Sequence, residues 1–131
     1  MSPFDPRQEF AEDYKMKVGA SLSNFNALMQ KYIDTIEPVE VCRLGGAGNK
    51  VNRIALQEVE SYVQPRPGLG FWDICAPEAI VRAMGGVCTD LDGKRLVYDK
   101  EKTGGKTTLP AFIIGKTLPM HKLIMKRLSK M

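Results

Sequence analysis

Asp73 lies where a loop carrying Gly68 and Gly70 enters a helical pattern, in the run Trp72-Asp73-Ile74-Cys75-Ala76-Pro77-Glu78-Ala79-Ile80 ahead of Gly85-Gly86. A carboxylate in such a place can cap the helix by accepting a backbone N–H. It can equally face outward and offer oxygen to a hard cation. Residue type leaves both open. Upstream, Arg43-Leu44-Gly45-Gly46-Ala47-Gly48-Asn49-Lys50 is a glycine-rich passage from a strand pattern to a helical one. Its glycines permit either a tight turn or close approach of backbone to a ligand. It matches neither the P-loop nor the dinucleotide-binding fingerprint. Arg66, in the loop before Trp72, is a further candidate phosphate contact on charge alone. The single histidine, His121, falls in a helical pattern near the end and is expected on the surface.

The elements that must position these residues alternate. Lys17–Ser21 reads as a short strand, and Ser23 or Asn24 offers an N-cap for a helix reaching about Ile36, with Phe25, Leu28, Met29, Tyr32 and Ile33 at helical spacing. Val39–Leu44 reads as a strand, Lys50 to about Gln57 as a helix, and Ser61–Val63 as a strand. A helix from about Ala76 to Met84 would place Pro77 in its first turn and bury Ile80 and Met84, stopping at Gly85-Gly86. Val87–Asp90 and Arg95–Tyr98 flank Asp92-Gly93 as a hairpin. Ala111–Ile114 is the last strand, and Met120–Ser129 the last helix. Residues 1–14, with Pro3 and Pro6, form an irregular arm; residues 15–131 form one α/β domain, a layered sheet with helices on its faces.

Composition bounds the function. The chain has 131 residues, 44% hydrophobic and 26% charged, enough for one core. No run of about 18 apolar residues is present, so no membrane span is expected. The first residues lack the basic and apolar stretches of a signal peptide, which gives a cytoplasmic expectation. Cys42, Cys75 and Cys88 have no metal-type spacing and are expected as reduced, mostly buried thiols. A net charge of +4 and a pI near 9.0 favour anionic ligands. Lys122, Lys126 and Lys130, however, recur every four residues opposite Met120, Leu123, Ile124 and Leu128, as on the solvated face of a helix. Without interleaved aromatics they make nucleic acid an unlikely partner.

The pattern Trp-Asp-x-x-Ala-Pro-Glu-x-Ile, then Gly-Gly, Thr89-Asp90 and Gly93, resembles the carboxy-terminal signature of the inositol monophosphatase superfamily. Cys75-Ala76-Pro77-Glu78 and the Gly-Gly-Ala-Gly-x-Lys segment resemble its 3'(2'),5'-bisphosphate nucleotidase branch. The resemblance implies the carboxy-terminal half of an αβαβα phosphatase fold, with Asp73 as a ligand of a catalytic Mg2+. It implies a substrate-contacting wall of Gly45, Gly46, Gly48 and Lys50, the lysine acting as a point charge. Ser21-Leu22-Ser23-Asn24 resembles the branch's serine-rich nucleotide turn, making Ser21 and Ser23 candidate contacts. Leu22 stands where that turn carries a histidine, which implies altered base selectivity.

The resemblance covers about residues 17–131 and half of a family member. Family catalysis also needs a glutamate-containing metal motif and an Asp-Pro-x-Asp-Gly motif, and the latter has no counterpart here. One carboxylate holds magnesium poorly. The implied function is therefore the substrate-side half of a magnesium-dependent phosphatase converting 3'-phosphoadenosine 5'-phosphate to AMP and phosphate. The alternatives are an inositol polyphosphate 1-phosphatase-like half, or a remnant that binds a phosphorylated ligand or a partner without catalysis. The expected partners are a phosphorylated nucleotide or inositol phosphate, together with an amino-terminal half or a second copy. Phe71, Trp72 and Ile74 are the expected rim of the exposed face.

Overall fold

The computed structural model describes residue 5 and residues 7–21, 26–105 and 107–131. Nine elements follow in order: β1 (Lys17–Ser21), α1 (Ala27–Ile36), β2 (Glu40–Leu44), α2 (Ala47–Ala55), β3 (Ser61–Gln64), α3 (Phe71–Ala83), β4 (Val87–Asp90), β5 (Phe112–Gly115) and α4 (Leu118–Leu128). The strands form one sheet in the order β2-β1-β3-β5-β4. β1 runs parallel to both β2 and β3, while β5 is antiparallel to β3 and to β4.

This order has a consequence for ligand binding. From β1 the chain moves outward to β2, then back across β1 to β3. Crossovers of one hand running in opposite directions put their helices on opposite faces. The side chains obey that rule. Met29, Ile33 and Ile36 of α1 pack with Met120, Leu123 and Ile124 of α4 on one face. Val51 and Ile54 of α2 pack with Ile74 and Val81 of α3 on the other. Strand alternation feeds both cores: Tyr62, Phe112 and Ile114 point one way, Val63 and Ile113 the other. β1 and β2 thus diverge into opposite layers, the place where open α/β sheets form a crevice at the carboxyl ends of their strands.

Several elements depart from the sequence reading. The cap of α1 is Asn26, whose Oδ1 accepts from Met29 N–H at 3.0 Å. Ser23, Asn24, Leu22 and Phe25 lie outside the described residues. α3 begins at Phe71, five residues earlier than expected, with Gly70 as its cap. Pro77 therefore sits inside the helix. It has no N–H to offer the Asp73 carbonyl one turn back, and that carbonyl faces Gly48, where a Cβ would come within 3.1 Å of it. Ile80 is exposed rather than buried, Met84 is half-buried, and Ile74 is fully buried in the core instead of at a rim.

Arg95–Tyr98 makes no strand: one bridge joins Thr89 to Arg95, and the Asp90 carboxylate accepts from the Asp92 and Lys94 N–H groups to shape the turn. Of the cysteines only Cys88 is buried, Cys42 being half-buried and Cys75 exposed.

Two basic residues near the end are interior. His121, expected on the surface, is 5% exposed, with Nε2 2.7 Å from Thr89 Oγ1. That hydroxyl donates to the Asp90 carbonyl at 2.8 Å, so His121 Nε2 carries the proton in their mutual bond. Arg127 is buried and donates to the carbonyls of Ile36, Glu12 and Tyr14. It thereby ties the amino-terminal arm, which has no helix or strand among its described residues, to α1 and α4. Tyr14 adds a hydroxyl bond to Glu60, and burial together with that carboxylate pushes its pKa up to about 12. Lys122, Lys126 and Lys130 are exposed, as their spacing implies.

Candidate functional site

A cleft of about 370 Å³ opens at the carboxyl ends of the parallel strands, a size that suits a small ligand. Its walls come from the end of β1 (Ser21), the start of α1 (Asn26, Met29), the start of α2 (Gly46, Ala47, Lys50), and β3 with its following loop (Tyr62 and Gln64 to Leu69). Local sequence explains the wall at α2. Gly46 adopts φ 80°, ψ 120°, a conformation that strains any residue with a Cβ. No side chain caps α2, and Gly46 and Ala47 at its start line the cleft. That start carries the positive end of the helix dipole.

Lys50 lies one turn in and is 5% exposed. Its Nζ donates to the Leu44 carbonyl at 3.3 Å and sits 5.5 Å from the centroid of the Tyr62 ring. Burial lowers its pKa below the usual lysine range. An ammonium has three donors. Here one neutral carbonyl and one ring face are recorded around a nearly buried cation that lines an open cleft. An anion entering the cleft would restore what burial has removed.

Across the floor, Tyr62 Oη donates to Gln64 Oε1 at 2.7 Å, and Gln64 Nε2 donates to the Arg66 carbonyl at 3.3 Å. This relay holds the loop that carries Arg66, whose side chain is exposed at the rim. Tyr62 is pushed far above the usual phenol range by burial, so it stays protonated and serves as a donor.

Four of the candidate ligand contacts meet in the cleft: Ser21, Gly46, Lys50 and Arg66. Two do not. Gly45 has open space around its Cα, and Gly48 faces α3, where a Cβ would lie 3.1 Å from the Asp73 carbonyl and 3.5 Å from Pro77 Cγ. Gly48 is thus a spacer between the amino-terminal ends of α2 and α3. Ser23 falls outside the described residues. Sequence reading missed Tyr62, Gln64 and Asn26. The strand pattern ending at Pro65 was the available signal for the first two, because alternation aims residues 62 and 64 to one side.

Asp73 is exposed in the first turn of α3, beside the start of α2 but not in the cleft wall. It offers one carboxylate. No group of three His, Cys, Asp or Glu side chains that could hold an ion occurs among the described residues. The donors present therefore do not fit a complete magnesium site. Glu78 of the same segment serves the core: it is buried, paired with Arg82, and its carboxyl is raised by desolvation against that partner's opposing pull.

A family model described as inositol monophosphatase family matches residues 7–124. The 3'(2'),5'-bisphosphate nucleotidase 1 of Rattus norvegicus is 44% identical over 79 residues, covering 60% of this chain and 26% of that protein. The protein of the same name from Dictyostelium discoideum is 38% identical over 94 residues, covering 70% and 30%. Putative inositol monophosphatase 3 of Drosophila melanogaster is 32% identical over 94 residues, covering 72% and 25%. Among solved structures, Staphylococcal IMPase-II superposes with a TM-score of 0.70 at 17% identity, over 95% of this chain and 45% of that one. An IMPase from Thermotoga maritima gives 0.64 at 20% identity, over 93% and 44%. The matched stretch thus spans about a quarter to a third of these curated relatives and under half of these solved structures.

Proposed function

The chain belongs to the inositol monophosphatase family, and from that premise we propose that it forms the substrate-side half of a magnesium-dependent phosphatase acting on adenosine 3',5'-bisphosphate, releasing AMP and phosphate. The observation that carries this reading is the cleft. It brings Ser21, Gly46, Lys50 and Arg66 together at the divergence of β1 and β2, with Lys50 nearly buried and facing open volume. The identity to 3'(2'),5'-bisphosphate nucleotidases, 44% and 38% for the two quoted, favours a nucleotide over an inositol phosphate.

In this reading one phosphate sits against the first N–H groups of α2 and the Lys50 ammonium, with Arg66 closing over it from the rim. Charge-assisted contacts of this type are the stronger class of hydrogen bond. Ser21 and Gln64 offer neutral polar contacts to the sugar, and the Tyr62 ring offers apolar floor. Asp73 would give one carboxylate oxygen to magnesium, the remaining ligands coming from outside the described residues. Hydrolysis therefore requires the rest of the family fold, and this chain contributes binding and orientation.

An amide NMR titration tests the reading. Adenosine 3',5'-bisphosphate should shift signals of Ser21, Gly46–Lys50 and Gln64–Gly68 in a saturable way, and inositol 1-phosphate should do so more weakly. Uniform small shifts, or shifts confined to Lys122–Lys130, would overturn it.

A further inference from the structure

The cation inside the cleft is an amine, and an amine can act as a nucleophile as well as a point charge. Among the described residues that line the cleft, Lys50 and Arg66 are the cations, and no Asp or Glu occurs. Other lysines have a carboxylate to hold them as ammonium: Lys116 pairs with Glu60 at 3.0 Å, and Lys126 pairs with Glu12. Around Lys50 the recorded partners are neutral, the Leu44 carbonyl and the face of the Tyr62 ring. Burial at 5% exposure adds to this and lowers its pKa below the usual lysine range. A desolvated lysine of this kind is the nucleophilic one, and lysine is the residue that acylation modifies.

The electrophile that suits this amine is one that brings its own phosphate. Lys50 stands one turn beyond Gly46, to whose carbonyl its N–H donates at 3.2 Å, so both lie on the cleft side of α2. An acyl phosphate joins a dianion to an activated carbonyl through a single oxygen. Phosphate drawn to Arg66 and the start of α2 therefore brings the acyl carbon to the same wall as Nζ. We propose, resting on the reading of this cleft as a phosphate site, that Lys50 is acylated directly by small acyl phosphates. In the step the ammonium first gives one proton to solvent, and neutral Nζ forms a bond to the acyl carbon. The bond from that carbon to the bridging oxygen breaks. Phosphate leaves with the electron pair and takes a second nitrogen proton as hydrogen phosphate. The cleft, at about 370 Å³, has room for an acetyl group, and the amide N–H can keep the bond to the Leu44 carbonyl. The product has lost the lysine charge, so acylation closes the cleft to anions.

Acetyl phosphate is the probe, with mass spectrometry to follow each lysine, and acetic anhydride is the reagent without a phosphate. Amine basicity acts on both reagents, so their comparison isolates the contribution of the cleft. The preference for Lys50 over exposed Lys122 and Lys130 should be roughly tenfold or more greater with acetyl phosphate than with acetic anhydride. Excess inorganic phosphate should slow acetylation of Lys50 by acetyl phosphate and spare the other two. Arg66→Met should slow the same reaction and leave that with acetic anhydride unchanged. An equal preference with the two reagents, a Lys50 rate untouched by excess phosphate, or no acetylation of Lys50 would overturn the proposal. The nucleotide reading is tested apart from it. That reading fails if adenosine 3',5'-bisphosphate leaves the cleft signals unshifted, whatever acetyl phosphate does to Lys50.

Discussion

Replacing Lys50 with methionine should weaken ligand binding while leaving the fold as stable as before, or more so. Lys50 is 5% exposed, and its charge is answered by one neutral carbonyl at 3.3 Å and the face of the Tyr62 ring at 5.5 Å. Holding that charge costs stability, which is why burial sets its pKa below that of a free lysine. Methionine of similar length keeps the packing against Tyr62 and removes the buried charge.

The lost contact to phosphate is charge-assisted, worth about 1.5–3 kcal/mol, or roughly 10- to 150-fold in Kd. The sign of the pH dependence follows. A lysine depressed in the fold binds more protons when unfolded, so its presence makes stability rise with pH from the folded pKa up to 10.5. Lys50→Met should flatten that alkaline rise. Calorimetric titration with adenosine 3',5'-bisphosphate and thermal melts between neutral and alkaline pH measure both. Unchanged affinity, or a variant less stable by more than about 1 kcal/mol, would refute the account of Lys50.

Other residues give sharper structural tests. Gly46→Ala forces a Cβ into φ 80° and should cost about 1–3 kcal/mol by denaturant unfolding. Arg127→Met removes three donors to the carbonyls of Ile36, Glu12 and Tyr14. It should cost about 3 kcal/mol and speed amide exchange selectively in the arm. His121 is held below 6.5 by burial. The unfolded chain therefore takes the proton first, and stability present above pH 6.5 is lost as pH falls from there through the lower pKa of the folded state. His121→Gln should remove that acidic slope, which melts at descending pH would show.

Much of this fold is written in local pattern. The amphipathic α4 follows from helical spacing, because it faces a core on one side and solvent on the other, while β1 is buried from Val18 to Ser21 and is legible as a short run of small and β-branched residues. α3 misled for want of that contrast. It is apolar on its outer face too, so periodicity identified neither its start at Phe71 nor the exposure of Ile80. His121 looked like a surface residue because type and spacing cannot reveal a hydroxyl on another strand, and no local pattern shows that Arg127 reaches three backbone carbonyls.

At the site, Lys50 and Gly46 were legible through a motif, and the strained φ of Gly46 gives that motif a physical reason. Gly48 was legible only as a glycine. Whether it meets a ligand or a neighbouring helix depends on how α2 and α3 approach, a tertiary fact. Tyr62 and Gln64 enter because β3 lies beside β1, a pairing no short motif encodes.

A crystal structure of the chain soaked with adenosine 3',5'-bisphosphate tests the central claim most directly. The account predicts one phosphate in the cleft, its oxygens about 3 Å from Lys50 Nζ and from the first N–H groups of α2, with Arg66 folded inward over it. A nucleotide bound elsewhere, or a phosphate that leaves Lys50 on the Leu44 carbonyl without contact, would contradict it.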